Sequence, residues 1–211
     1  AYTSIVGGGV NGCILHYIEN KDMLKNGDLV LIDAGCEFED YASDITRTFP
    51  VNGKFSDEQA AIYDIVLKAL KEAIDVTQAG TPYNKTNETT IRVITEGLVE
   101  LGLLKGDIND LIKAEAHREF YMHGAGHWLG LDVHDVGDYK IDGEWRIYEP
   151  GMVVTIEPGI YISPKNKKVD TKWRGIGVRI EDDIVITKTG NINLTSKVPK
   201  ERNEIEKMMA K

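Results

Sequence analysis

Cysteine is scarce in this chain. Only Cys13 and Cys36 occur among the 211 residues, and the sequence contains no Cys-x-x-Cys pair. A disulfide-rich domain needs several bridges, and a thiolate metal site uses closely spaced cysteines. The sequence therefore excludes both classes, and the two cysteines are predicted to be reduced structural thiols.

Long apolar runs and excess positive charge are also missing. No segment approaches the roughly 20 consecutive apolar residues of a membrane-spanning helix. The first four residues, AYTS, lack the charged-then-apolar pattern of a signal peptide. The formal net charge of -9 disfavours nucleic acid and anionic membranes as partners, because like charges repel. We expect a cytoplasmic protein that binds neither.

Repeats and long Pro/Gly/Ser-rich linkers are absent, so residues 1–211 are predicted to form one domain with a sizeable core. Residues 29–33 and 41–49 have strand character and predict a hairpin. A capping box at Ser56 and Gln59 starts one helix that ends before Gly80, and a second helix ends at Gly102. Strands over 152–157 and 177–186 follow, then a short polar helix after Pro199. This order predicts an α+β domain.

Acidic residues interrupt the apolar strands instead of decorating the loops. Asp33 ends an apolar run, and period-2 alternation places Thr155 and Glu157 on one strand face. Alternation in the next strand puts three polar residues on one face: Arg179, Glu181 and Asp183. Any one of these acids alone would be read as a solvated or salt-bridged strand-end residue.

Several such acids that converge at one place would need something to offset their charge. If Asp33, Asp44, Glu157 and Glu181 converge to about 4–5 Å, each pair repels by about 3–4 kcal/mol at an effective dielectric of 20. Six pairs would then cost on the order of 20 kcal/mol, more than the roughly 5–15 kcal/mol stability of a whole domain. Convergence therefore requires protonation or bound cations, and two divalent ions would balance the four negative charges.

Three of the five histidines lie within twelve positions: His123, His127 and His134. The i, i+4 spacing of the first two could suggest a His-Glu-x-x-His zinc helix, but Gly124 and Gly126 disfavour a helix and the catalytic Glu is missing. A glycine-lined loop that brings one histidine to a metal fits better. Structural histidines are the alternative at this point.

Five ordered motifs span most of the chain, at residues 31–35, 43–49, 123–135, 155–161 and 179–184. Together they resemble the aminopeptidase P and prolidase group of pita-bread metallopeptidases. The resemblance implies a curved antiparallel sheet with helices on its outer face. It also implies an additional N-terminal domain and preceding helices in family members, which this chain is expected to lack, and a homo-oligomer in the full-length protein.

The resemblance implies five metal ligands: Asp33, Asp44, His127, Glu157 and Glu181. Asp33 and Glu181 would bridge two ions, Asp44 would bind one of them alone or share it with Asp33, and His127 and Glu157 would complete the other site. One imidazole and four carboxylates form an oxygen-rich set, which favours Mn(II) over the sulfur- and imidazole-rich sites typical of zinc.

Catalytic and substrate roles follow from the same resemblance. Glu157 would take and relay a proton, and His134 and His16 would donate hydrogen bonds to the substrate carbonyl or the tetrahedral intermediate. Three further residues would shape a pocket for proline, whose amide nitrogen has no hydrogen to donate: His123, Tyr161 and Arg179.

The implied activity is release of the N-terminal residue from peptides with proline in second position. Methionine aminopeptidases share the fold, but residues 46–49 and 179–183 are closer to the proline-directed branch, and residues 130–135 favour aminopeptidase P within it. The alternatives are a prolidase, which cleaves only dipeptides, and a non-enzymatic pita-bread module that binds peptides without metal.

Overall fold

The computed structural model describes residues 1–210, which form twelve β-strands and four α-helices. The strands are β1 (Ile5–Gly8), β2 (Leu29–Asp33), β3 (Glu37–Phe38), β4 (Tyr41–Ala42), β5 (Thr46–Pro50), β6 (Lys140–Ile141), β7 (Glu144–Trp145), β8 (Val153–Ile156), β9 (Gly159–Tyr161), β10 (Gly177–Arg179), β11 (Asp182–Thr187) and β12 (Gly190–Asn193). The helices are α1 (Asp57–Val76), α2 (Asn84–Glu100), α3 (Ile108–Lys113) and α4 (Arg202–Met209).

The first half of the chain contributes an antiparallel sheet in the order β1-β2-β5. The predicted pairing of the two N-terminal apolar segments is confirmed, with Asp33 opposite Thr46 and Leu29 opposite Pro50. The second segment is not continuous from residue 41 to 49, because the small β3-β4 hairpin precedes β5. This interruption leaves Asp44 outside regular strand pairing, next to the end of β2.

Two long helices follow and pack against each other. Ser56 caps α1 through the predicted capping box, in which its side chain accepts from the Gln59 amide and its own amide donates to the Gln59 side chain. The α1–α2 contact is close at Gly97, where an added Cβ would lie 2.6 Å from Ile65. The apolar face of α1 contacts β8, β9 and β10, so α1 covers one side of these strands and α2 packs on α1.

The second half forms a sheet in the order β12-β11-β8 and a β9-β10 pair. The prediction of one strand over 177–186 is wrong, because the backbone changes partners in its middle. β10 pairs with β9 and β11 pairs with β8, while the Glu181 amide between them donates to the Thr46 carbonyl of β5 at 3.1 Å. Glu181 therefore lies where the two halves of the chain meet.

The remaining elements are short. The predicted polar helix after Pro199 is confirmed as α4. The elements that were not predicted are α3 and the strands β1, β3, β6, β7, β9 and β12. None of the helices within residues 1–210 has the length and apolarity needed to cross a membrane. The apolar core lies between the helices and the strands, and the polar strand face opposite it carries the acidic residues.

Candidate metal centre

All five predicted metal ligands line one cavity of about 280 Å³. Asp33 is the last residue of β2, Asp44 lies between β4 and β5, Glu157 directly follows β8, and Glu181 joins β10 to β11. The predicted residues His16, His123, His134 and Arg179 line the same cavity. The sequence positions that seemed scattered over the chain are thus brought to one place.

Three of the ligands have donor atoms within 4.8 Å of one another: Asp44, His127 and Glu181. The His127 Nε2 atom also lies 3.6 Å from Glu157 Oε1 and 3.5 Å from Asp44 Oδ2. The Tyr2 hydroxyl is hydrogen-bonded to both the Asp33 and the Asp44 carboxylates. Asp44 and Glu181 are thus the carboxylates grouped with His127, and the assignment of bridging ligands stays a prediction.

The orientation of His127 is set by its surroundings. Its Nδ1 atom lies 2.9 Å from the Trp128 carbonyl, which can only accept, so Nδ1 carries a proton and Nε2 is the ring nitrogen that faces the carboxylates. The main chain of His127 runs beside β8, with Thr155 N donating to its carbonyl at 3.0 Å. Gly126 permits this approach, because an added Cβ there would lie 1.9 Å from the Thr155 carbonyl oxygen.

Arg179 connects several members of the site. Its Nη2 donates to Asp33 Oδ2 at 2.5 Å, its Nη1 to the Tyr161 hydroxyl at 3.1 Å, and its Nε to Thr46 Oγ1 at 3.2 Å. Tyr161 in turn donates to His123 Nε2 at 2.8 Å, since Nδ1 of that ring faces the Gly124 carbonyl. Arg179 and Tyr161 are almost fully buried, so their observed contacts are with other residues of the site.

His16 and His134 differ from the ligands in being exposed at the mouth of the cavity. The rings of His127 and His134 lie edge to face with centroids 4.4 Å apart. Burial and the neighbouring His127 lower the pKa of His134. Both residues can therefore reach a ligand that enters from solvent, as their predicted roles require.

The pKa values of the buried carboxylates reflect their closeness to one another. Burial, followed by repulsion from Glu157, Asp44 and Asp33, raises the pKa of Glu181 well above its ordinary value. Burial also raises the pKa of Glu157 to about 7, although His127 and Arg179 oppose the shift. Uncompensated negative charge thus destabilises the ionised site, and divalent cations would relieve it. The donor set fits such ions.

The comparisons with known proteins agree with this geometry. The model of metallopeptidase family M24 matches residues 1–188. The chain belongs to this family. It is 58% identical over 209 residues to a Xaa-Pro aminopeptidase of Escherichia coli K12, covering 99% of this chain and 47% of that protein.

Solved structures of relatives show the same fold. Pseudomonas aeruginosa aminopeptidase PepP is 62% identical with a TM-score of 0.98, and proline aminopeptidase P II from Yersinia pestis is 60% identical with a TM-score of 0.96. Each comparison covers 99% of this chain but only 47% and 48% of the respective relative. The predicted α+β pita-bread fold is confirmed, and the chain spans about half the length of the relatives that it matches.

Membership of M24 and the convergent carboxylates imply that the site uses divalent metal. Four residues whose side chains touch the predicted ligands were not assigned a role from sequence: Tyr2, Thr46, Thr155 and Asp183. Asp183 accepts from the Asp44 amide at 3.2 Å, and burial raises its pKa to about 7. Period-2 alternation from Asp44 could have pointed to Thr46, whereas nothing in the sequence links Tyr2 to residues 31 and 42 positions away.

Proposed function

We propose that the protein is a Xaa-Pro aminopeptidase that uses two divalent ions, Mn(II) in the native state. The observation that carries this proposal is the convergence of five ligand side chains and three further histidines on one cavity. Four carboxylates and one imidazole are the donors that Mn(II) accepts readily, and the set contains no thiolate.

The ligands divide into two groups by position. His127 and Glu157 would hold one ion and Asp33 the other. Asp44 and Glu181 would complete the coordination, since their donor atoms lie within 4.8 Å of each other and of His127, and Asp44 shares the Tyr2 hydroxyl with Asp33. Two bound ions would polarise the scissile carbonyl and lower the pKa of a water molecule that attacks it. Glu157 is placed to accept that proton, because its carboxylate borders the cavity beside His127.

The rest of the pocket would bind and orient the peptide. We assign His16 and His134 as hydrogen-bond donors to the substrate carbonyl, since both are exposed at the cavity mouth. His123 would contact the proline ring, held in place by Tyr161 and Arg179 behind it.

A second cavity of about 380 Å³ adjoins the first and shares Asp33, Asp44, His16 and His134 with it. Its apolar wall includes Ile5, Ile18 and Val133. We assign this wall to the side chain of the first peptide residue, because a scissile bond held by the residues that the two cavities share would leave that side chain facing the second cavity.

Assembly and location are further parts of the proposal. The exposed apolar side chains of Phe38, Leu131 and Val136 would be covered in a homo-oligomer of the full-length protein. A cytoplasmic location is consistent with the two free thiols of Cys13 and Cys36.

The activity is tested with the full-length protein loaded with Mn(II). We expect cleavage of Xaa-Pro-Yaa tripeptides and little cleavage of matched Xaa-Ala-Yaa peptides. Chromatography of the released amino acid measures the cleavage of each peptide. Cleavage of Xaa-Pro dipeptides alone would indicate a prolidase. A metal-loaded protein that cleaves none of these peptides would refute the enzymatic proposal.

The ligand assignment has a separate test. Glu157→Ala and Glu181→Ala should each lower the metal content after equilibration with Mn(II) and desalting, measured by elemental analysis. Glu144→Ala, which removes an exposed carboxylate outside the cavity, is the control and should retain wild-type content. Wild-type metal content in both ligand variants would contradict the assignment.

A further inference from the structure

Thr46 is the first residue of β5 and is completely buried. Its hydroxyl oxygen lies 2.6 Å from Glu181 Oε2 and 3.2 Å from Arg179 Nε. A guanidinium can only donate, and a threonine hydroxyl has a single hydrogen. The Thr46 oxygen therefore accepts from Arg179, and when Glu181 is ionised, as a metal ligand must be, the Thr46 hydrogen is donated to it.

Because the Thr46 hydroxyl donates to Glu181, it can orient that carboxylate. Glu181 is 1% exposed and shares the cavity with Asp33, Asp44 and Glu157, so its ionised form has few compensating donors. The bond from Thr46 orients Glu181 through Oε2 and leaves the remaining lone pairs of the carboxylate for a cation. Arg179, which donates to Thr46, also donates to Asp33.

We propose that Thr46 is a positioning residue of the metal centre, which holds Glu181 in its ligating orientation and couples it to Arg179 and Asp33. The assignment rests on the proposed metal centre and deepens it. Partners of this kind typically contribute 10- to 100-fold to metal affinity, and removal of the hydroxyl should weaken Mn(II) binding by about that factor.

Thr48 provides a matched control on the same strand. It is also fully buried and faces the same way, but its hydroxyl donates to the Arg179 carbonyl at 2.9 Å and accepts from the Arg179 amide at 3.3 Å. Thr48 thus satisfies main-chain atoms of the same neighbour without contacting a metal ligand. Loss of either hydroxyl removes a buried hydrogen-bonding group of the same kind.

The experiment compares the Mn(II) dissociation constants of metal-stripped full-length wild type, Thr46→Val, Thr46→Ser and Thr48→Val by titration calorimetry. Thermal unfolding of the metal-free forms is measured alongside. We expect Thr46→Val to bind about 10- to 100-fold more weakly, while Thr46→Ser and Thr48→Val stay within about threefold of wild type. The two valine variants should lose similar thermal stability.

Two results would overturn the assignment. One is wild-type affinity in Thr46→Val, and the other is an equal loss of affinity in Thr48→Val, which would make the effect one of general packing. If Thr46→Val does not unfold cooperatively, Thr46→Ala and Thr48→Ala replace the valine pair and are judged by the same comparison. A wild-type protein that binds no Mn(II) would refute the metal centre itself, and this assignment with it.

Discussion

Two glycines in the loop before His127 differ in the space around them. A side chain would fit at Gly124 but not at Gly126, although they are only two positions apart. At Gly124 no heavy atom lies within 4 Å of an added Cβ, whereas at Gly126 the Cβ would overlap the Thr155 carbonyl oxygen. Gly126→Ala should therefore push the His127 segment away from β8 and reduce the free energy of unfolding by about 1–3 kcal/mol. Gly124→Ala should change it by less than about 0.5 kcal/mol.

Urea unfolding of both metal-free variants checks this prediction, and Mn(II) content after reloading checks its effect on the site. Only Gly126→Ala should lose metal, because His127 and Glu157 both depend on the pairing of this loop with β8. Equal behaviour of the two variants would show that the close approach at Gly126 is not required.

His117 gives the protein a pH dependence away from the metal ligands. The ring is buried, and its Nδ1 atom has no hydrogen-bond partner among residues 1–210. Burial, aided by Arg118, lowers the pKa of His117 below its ordinary value of 6.5. As the pH falls through 6.5, His117 is therefore protonated in the unfolded chain before it is protonated in the native state. The free energy of unfolding decreases as a result.

The variant His117→Gln cannot titrate and should lose less stability than wild type between pH 7.5 and pH 5.5. Denaturant unfolding of the metal-free proteins at both pH values measures the difference, and the other titrating groups cancel in the comparison. An identical decrease in wild type and His117→Gln would contradict the prediction.

At the scale of elements, a buried ion pair joins β5 to β11. Arg47 Nη2 lies 2.7 Å from Asp182 Oδ1, and the same guanidinium donates to the carbonyls of Glu181, Val198 and Pro199. Arg47→Met would leave Asp182 with Lys200 as its remaining cation and would remove the donor to three carbonyls, so it should reduce the free energy of unfolding by about 2–4 kcal/mol.

The control is Arg202→Met, which removes an exposed pair with Asp64. Because solvent screens that pair, its loss should cost at most about 1 kcal/mol. Urea unfolding of both variants measures the contrast. A loss for Arg47→Met no larger than that for Arg202→Met would show that the buried pair does not hold the two strands together.

The elements also show how far the sequence could predict the structure. The α1 boundaries followed from local rules, since the capping box at Ser56 and the apolar periodicity act within a few residues. The five residues that converge on the cavity were recognised by their motifs. The break at Glu181 was not predicted, because it depends on pairing with β5, 135 residues away along the chain. Tyr2 was missed for the same reason.

For the whole molecule, the proposed site predicts that this 211-residue chain binds two divalent ions, tested as Mn(II), because all five proposed ligands come from within it. Metal should also raise its thermal stability, since the folded state alone assembles the site. A free ion concentration 100 times the dissociation constant would stabilise the fold by about 2.7 kcal/mol per site.

Calorimetric stoichiometry and thermal unfolding with and without a chelator check this prediction. A chelator should return the loaded protein to the lower unfolding temperature. Binding of only one equivalent would contradict the two-ion arrangement, and an unfolding temperature unaffected by metal would contradict coupling between the site and the fold.

The ligands are divided between the two halves of the chain, and this division has a practical consequence. Asp33 and Asp44 precede the exposed turn between α2 and α3, around Gly106, whereas the other three ligands follow it. A chain opened at this turn would yield two pieces, neither of which has a complete coordination set. Divalent metal would then be needed to hold the two pieces together. A protein split at this turn should therefore reassemble only when the metal is present, and its reassembly would report the metal.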